Sequence, residues 1–511
     1  MLSRINSCGL MGIDGFPVLV ETDISNGMPT FEIVGLPDAA VREAKERVRA
    51  AIKNTGFNFP AKRIIINLAP ASQRKEGSGY DLPITISILN ATEQLSVPDN
   101  DITMFIGELS LDGTVCSVSG ILPMVISSYK QGYKKFFVPK DNANEAAVID
   151  DVEIYPVGSL KELADHLHGI SPIKPHKVDL ENYFKNSSSS ILDFCDVKGQ
   201  ENVKRALEIA AAGNHNILLI GSPGTGKTML AQRMPGILPD LTFDESLEVT
   251  KIHSIAGALP KHMPIIMNRP FRNPHHTISA AGLSGGGSMP KPGELSLAHN
   301  GILFLDELPE FRSDVLEILR QPLEDGEVTI SRVNATLTYP CNIMLVASMN
   351  PCKCGYLGDS RRECTCSPAS INRYRSKISG PLLDRIDIQV EVASVDYDDL
   401  SSINSGEKSE DIKKRVNRTR AVQLERYKGL NIYSNSQLSA GLLQKFCPLG
   451  DEENAILKAA FDNLGLSARA HSRILKVART IADLEGEERI KVNHIAEAIQ
   501  YRSLDRKYFE N

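Results

Sequence analysis

The sequence predicts a multidomain α/β protein, and three observations predict it. Strand-like and helical patterns are mixed before residue 170, apolar runs alternate with helical patterns from about 191 to 395, and only period-3.6 apolar spacing continues after Asp396. The 511 residues leave room for roughly three domains. A hydrophobic content of 42% with 23% charged residues fits globular domains and argues against wholesale disorder.

In the first interval, 1–170, "GFPVLVETDI" and "RIIINLAP" read as strands, and "DAAVREAKERVRAAIKNTG" reads as an amphipathic helix closed by Gly56. Residues 171–190 carry prolines and a four-serine run, the composition of a linker. Residues 191–395 contain "NILLI", "ILFLD" and "NIMLVAS", whose spacing favours a parallel sheet. Residues 396–511 begin with the polar loop "SSINSGEKSED" and continue as a small helical domain, with Gly486 as a terminator.

No apolar run approaches the roughly 20 residues of a membrane helix. The amino terminus has Asp14, Glu21 and glycines where a signal peptide needs an apolar core, so no membrane association and a cytoplasmic location are expected. Five of the nine cysteines lie between Cys341 and Cys366, which is not the layout of a disulfide framework. The net charge of −6 gives no global basic field, so any nucleic-acid contact must come from local basic loops.

Gly221-Ser222-Pro223-Gly224-Thr225-Gly226-Lys227-Thr228 follows an apolar strand and precedes a helical pattern, the two contexts that a phosphate-binding loop requires. Its glycines let backbone N–H groups converge on phosphate oxygens, Lys227 supplies positive charge to the β- and γ-phosphates, and the Thr228 hydroxyl suits Mg²⁺. ATP and Mg²⁺ are therefore the expected cofactors. Downstream, "GILFLDE" sets Asp306 and Glu307 at the end of a buried strand, where Asp306 would hold Mg²⁺ through water and Glu307 would position or deprotonate the attacking water. A third core strand ends at Asn350, within reach of the γ-phosphate or the water. Arg385, between two aspartates in "SGPLLDRIDIQ", reads either as an ion-paired surface arginine or as an arginine finger.

Taken in order, "GSPGTGKT", "PGELSLAHNGILFLDELPEF", "LEDGEVTISR", "ASMNPC" and "SGPLLDRID" resemble the magnesium-chelatase-subunit-like branch of AAA+ ATPases over roughly residues 190–500. The resemblance implies an AAA+ P-loop α/β domain followed by a helical lid. It gives Asn350 the sensor-1 position, Arg385 the finger position and Arg469 the sensor-2 position, with Arg473 one turn later as the alternative. It also implies that "AGLSGGGSMPKPGELS", with Lys291, is a helix-2 insert facing a central pore. "EVTISRVNATLTYP" alternates with a turn at Asn334 and predicts a hairpin. The tandem His275–His276 has no carboxylate partners and reads as structural.

The first interval resembles the proteolytic domain of Lon-type proteases through "INLAPASQRKEGSGYDLPITISIL", "GELSLDGTVCSVSGILPM" and "KKFFVPKDNANEAA". Matching the motifs puts Gly79 at the serine position and Leu122 at the lysine position, so the resemblance implies a Lon-like α+β fold without the catalytic dyad. Ser78, one residue off, has no lysine in the second motif to activate it. The combination of both parts resembles the YifB/competence-M family over essentially the whole chain. That resemblance implies a ring-forming homo-oligomer, a hexamer, which hydrolyses ATP to move branched or single-stranded DNA: a branch-migration helicase of recombination and natural transformation. The rival expectation is a chelatase-type motor that remodels a protein or tetrapyrrole-pathway partner.

Cys352-x-Cys354 and Cys364-x-Cys366 are two thiolate pairs with nine residues between them, in the loop that leaves Asn350. A structural Zn²⁺ bound by all four would close a loop that lacks a core, and four sulfur ligands would leave no open position for water. Four thiols without metal are the alternative reading.

Overall fold

The computed structural model of the chain describes all residues except 181–182, 184–191, 262, 288–289, 333–334, 360, 395–405, 431, 465–466, 505–507 and 509–511. The serine run, the turn at Asn334, the 395/396 boundary and the first half of the 401–411 loop therefore lie outside the described residues. The chain forms two compact units, 1–187 with 243–266, and 188–242 with 267–511.

In the first unit a four-stranded sheet is built from Leu2–Met11, Asp14–Ser25, Arg63–Ala69 and Thr30–Val34, in that spatial order. Only its last pair is parallel. Burial alternates along Arg63–Ala69 as a sheet with one covered face requires. The helix Ala39–Asn54 starts where the Asp38 carboxylate accepts the Val41 N–H at 2.8 Å, and it ends before Gly56, whose φ of +89° suits a residue without Cβ. A three-stranded parallel sheet, Thr103–Phe105, Lys135–Pro139 and Glu153–Val157, completes the unit's α/β character.

One grouping differs from the reading of 191–395 as a continuous interval. The helix Phe243–Ile255 packs against Ile121–Tyr129 of the first unit, with the Gly120 N–H donating to the Ser254 carbonyl at 3.1 Å. The long stretch between Thr228 and Asp306 thus lends a helix to the other unit, which no local pattern in the sequence marks.

The second unit is centred on a five-stranded, all-parallel sheet in the order Phe271–Arg272, Ile302–Leu305, Met344–Met349, Ile217–Ile220, Ile388–Glu391. Its three central strands are buried at every position, as strands covered on both faces must be. The helices Ser409–Arg426, Ala468–Glu485 and Val492–Gln500 share the core cluster of this sheet, and Gly486 caps the second of them at φ +75°. The sequence's hairpin is present as the antiparallel strands Glu327–Ser331 and Thr336–Pro340. Among the described residues, no helix is long and apolar enough to cross a membrane.

Candidate nucleotide site and cysteine cluster

Three neighbouring parallel strands deliver the polar residues at their carboxyl ends, where a crevice forms in open α/β sheets. Ile217–Ile220 runs into the glycine loop, Ile302–Leu305 ends at Asp306 and Glu307, and Met344–Met349 ends at Asn350. Gly224 and Gly226 have φ of +80° and +88°, conformations that turn the loop back on itself before the helix Lys227–Arg233.

The Lys227 ammonium donates to the carbonyls of Gly221 and Ser222 at 2.8 and 2.9 Å and to Asn350 Oδ1 at 3.1 Å. Burial lowers its pKa, against the pull of the Asp306 and Glu307 charges. Thr228 Oγ1 donates to Asp306 Oδ2 at 2.8 Å. This hydroxyl and carboxylate form a hard oxygen donor set that fits Mg²⁺.

Glu307 is exposed and sits at φ +54°, a left-handed conformation unusual for a non-glycine residue. Its N–H is held by Ser348 Oγ at 3.2 Å and Asp306 Oδ1 at 3.1 Å, while the Ser348 hydroxyl donates to Asp306 Oδ1. Ser348 is fully buried and was missed by sequence reasoning. The available signal was strand alternation, which gives residues 348 and 350 the same face.

The cysteine loop leaves this site at Asn350. Cys352 Sγ lies 3.4 Å from Cys354 and 3.6 Å from Cys364, and the sulfurs of Cys352, Cys354, Cys364 and Cys366 all fall within 4.8 Å of one another. All are free thiols. A tetrahedral ion with Zn–S bonds of about 2.3 Å sets its sulfurs about 3.8 Å apart, so the spacing fits a four-thiolate metal site. The loop also touches the glycine loop. Gly355 lies so close to Pro223 that a Cβ would meet its Cδ at 2.5 Å, and the Asp359 carboxylate is hydrogen-bonded by the Ser222 side chain, which lowers its pKa.

Arg385 lies apart from these residues. Its side chain is 11% exposed and turned back to an ion pair with Glu324, with Nη1 donating to the Pro381 carbonyl at 2.8 Å. Arg469 is 61% exposed and pairs with Asp384 at 3.5 Å. Arg473, its alternative, is instead committed to the buried Asp387, which also receives the Asn216 N–H at 3.2 Å and faces His215 at 3.3 Å. Burial alone would raise the Asp387 pKa, but the Arg473 guanidinium and His215 hold it well below the carboxylate range. This contribution to stability is present above about pH 4, the unfolded carboxylate value, and is lost as pH falls below it. Asp387→Ala should therefore destabilise the protein by about 3–5 kcal/mol, read from the denaturant midpoint at pH 7, with the difference shrinking in acid.

In the first unit, the Ser78 hydroxyl donates to the Glu108 carboxylate and Leu122 is fully buried. Lys75, close in sequence, is fully buried, and its ammonium is spent on the carbonyls of Pro70 and Gln73.

The glycine loop, the acidic strand end and the all-parallel sheet define a P-loop motor of the AAA+ class. The families "Magnesium chelatase, subunit ChlI", "Subunit ChlI of Mg-chelatase" and "Magnesium chelatase, subunit ChlI C-terminal" match residues 193–400, 20–142 and 406–502. The chain is 44% identical to competence protein ComM of Haemophilus influenzae over 509 residues, covering 99% of this chain and 98% of that one. It is 43% identical to YifB of Escherichia coli with the same coverage. A weaker likeness, 25% identity over 32% of this chain and 28% of the relative, is to an archaeal Lon protease of Archaeoglobus fulgidus. The chain belongs to the ComM/YifB family.

Proposed function

We propose that this protein is a cytoplasmic, ring-forming AAA+ ATPase that spends ATP on remodelling branched or single-stranded DNA, as a branch-migration helicase in recombination or natural transformation. The observation that carries the ATPase is the convergence of Lys227, Thr228, Asp306, Glu307 and Asn350. The DNA substrate is supported by full-length similarity to a competence protein. The proposed organisation is a Lon-like domain over 1–170 without a peptidase dyad, a linker over 171–190, the motor core over 191–395 and a helical lid over 396–511.

In this reading Gly221–Thr228 wraps the phosphates and Lys227 exchanges its carbonyl partners for phosphate oxygens. Thr228 and Asp306 hold Mg²⁺, which neutralises developing phosphate charge when bound. Glu307, presented by its left-handed backbone, takes the proton of the attacking water, and Asn350 orients that water. Arg385 reaches the γ-phosphate of a neighbouring subunit, and Arg469 acts as sensor 2 because Arg473 is engaged with Asp387. Cys352, Cys354, Cys364 and Cys366 hold a structural Zn²⁺.

The test is the ATPase rate with no DNA, single strands, duplex and a four-way junction, measured in parallel with oligomer mass and junction unwinding. Stimulation by the junction in a hexamer is expected. Indifference to DNA, with turnover stimulated by a chelatase partner, would favour a motor acting on a protein or tetrapyrrole pathway, the reading that the chelatase-family match over 193–400 supports. Arg385→Ala should lower turnover of the assembly by about 10³-fold while single subunits still bind ATP. Undiminished turnover would remove the finger role.

A further inference from the structure

An arginine that must reach a neighbour's phosphate is expected to project from its subunit, yet Arg385 does not. Only 11% of its side chain is exposed, its Nη2 is paired with Glu324, Nη1 donates to the Pro381 carbonyl of the preceding helical turn, and Nε is buried without a hydrogen-bond partner. An unsatisfied N–H in a guanidinium marks a pose that forgoes part of its hydrogen bonding.

The partner is specific. Nearby carboxylates have other arginines as their ion-pair partners: Asp384 pairs with Arg469, Asp387 with Arg473 and Glu317 with Arg320, the Arg385 charge acting on Glu317 only through space, whereas Arg385 itself is ion-paired to Glu324. Glu324 itself is 61% exposed and sits on the short turn Pro322–Asp325, followed by Gly326 at φ +70° at the foot of the hairpin. It is not among the buried residues of the core. Its carboxylate is ion-paired with Arg385.

We infer that Glu324 is an intrasubunit latch: a positioning residue that holds Arg385 inward in the isolated subunit and releases it when a neighbour's ATP offers a more highly charged acceptor. The inference rests on the finger reading of Arg385. A carboxylate carries one negative charge, whereas the γ-phosphate of ATP carries more and binds a guanidinium in the same forked geometry. The exchange therefore runs from Glu324 to phosphate only where a loaded neighbour is present, which ties hydrolysis to assembly and suppresses it in single subunits.

The test is ATPase activity per subunit across protein concentration, with oligomer mass from sedimentation, for wild type, Glu324→Gln, Arg385→Ala and the double variant. Glu324→Gln keeps the shape of the side chain at an exposed position and removes the charge. An ion pair of this kind is worth about 1 kcal/mol, so Glu324→Gln should reach half-maximal activity at about fivefold lower subunit concentration. In the Arg385→Ala background, Glu324→Gln should change nothing. An unchanged concentration curve for Glu324→Gln, or lower activity at saturation, overturns the latch. The same shift in assembly with Arg385 absent also overturns it, since the charge would then be acting without the finger. Full turnover in Arg385→Ala removes the finger reading, and with it the latch, so the two failures are distinguishable.

Discussion

Glu307→Gln should bind ATP with affinity close to that of the wild-type protein and hydrolyse it about 10²–10⁴-fold more slowly, accumulating as an ATP-loaded assembly. The substitution is nearly isosteric and leaves the contacts that organise the pocket in place. Thr228 still donates to Asp306, Ser348 still bridges Asp306 to the backbone N–H of residue 307, and Lys227 is untouched. What is lost is a carboxylate able to take a proton, at the position that the left-handed backbone of residue 307 presents to solvent. Persistence of that conformation in a non-glycine residue is informative, because it costs about 1–3 kcal/mol unless the surroundings impose it, and here two hydrogen bonds to its N–H impose it. Lys227→Ala gives the contrasting outcome, loss of ATP binding itself, because the ammonium that is hydrogen-bonded to the Gly221 and Ser222 carbonyls of the glycine loop is removed. The discriminating measurement is single-turnover phosphate release beside equilibrium binding of ATP. Normal release by Glu307→Gln would move water activation to another residue.

Much of this site was legible because its chemistry is local. A glycine loop between strand and helix, an acidic pair at a strand end and a polar residue closing a third strand are each contained within ten residues, and parallel pairing brings the three ends together. The hairpin at Glu327–Pro340 was legible from alternation for the same reason. What was not legible depends on pairs distant in sequence. Nothing near Arg385 announces Glu324, 61 residues earlier. The choice between Arg469 and Arg473 turns on Asp387, which is 86 residues from Arg473. Both arginines lie in one helix with similar neighbours, and only the buried partner separates a committed side chain from an exposed one. The helix Phe243–Ile255 is amphipathically weak, with buried residues spread around it, so periodicity could not say which unit it would join.

Removing metal from the four-cysteine loop should weaken ATP binding without unfolding the motor core. Among the described residues of 351–366 few side chains are buried, so the order of the loop is expected to depend on the sulfur cluster. A structural zinc site contributes on the order of 10 kcal/mol to the folding of its loop, far more than the remaining contacts of a segment this short can supply. Within the sulfur cluster the Tyr356 N–H lowers the Cys354 thiol while, against their backbone hydrogen bonds, the neighbouring sulfurs raise Cys364 and Cys366, so one thiolate is favoured and the other two require a cation to form beside it. The loop's order matters to nucleotide because Gly355 packs on Pro223 and Asp359 holds the Ser222 hydroxyl, so the cysteine loop lies against the phosphate-binding loop. Loss of one such hydrogen bond and its packing contact, about 1–1.5 kcal/mol together, corresponds to about a tenfold weaker Kd for ATP. The parallel sheet and the buried network at Asp387 are built from other residues, so the denaturant midpoint of the core should stay within the range of a surface substitution. The experiment is metal analysis of protein purified without chelator, then ATP titration before and after thiol-directed metal release, with Cys364→Ser in parallel. One zinc per chain and a tenfold loss of affinity are expected. Protein that carries no metal, or that binds ATP equally well after its release, would make the cysteine loop independent of the nucleotide pocket it touches.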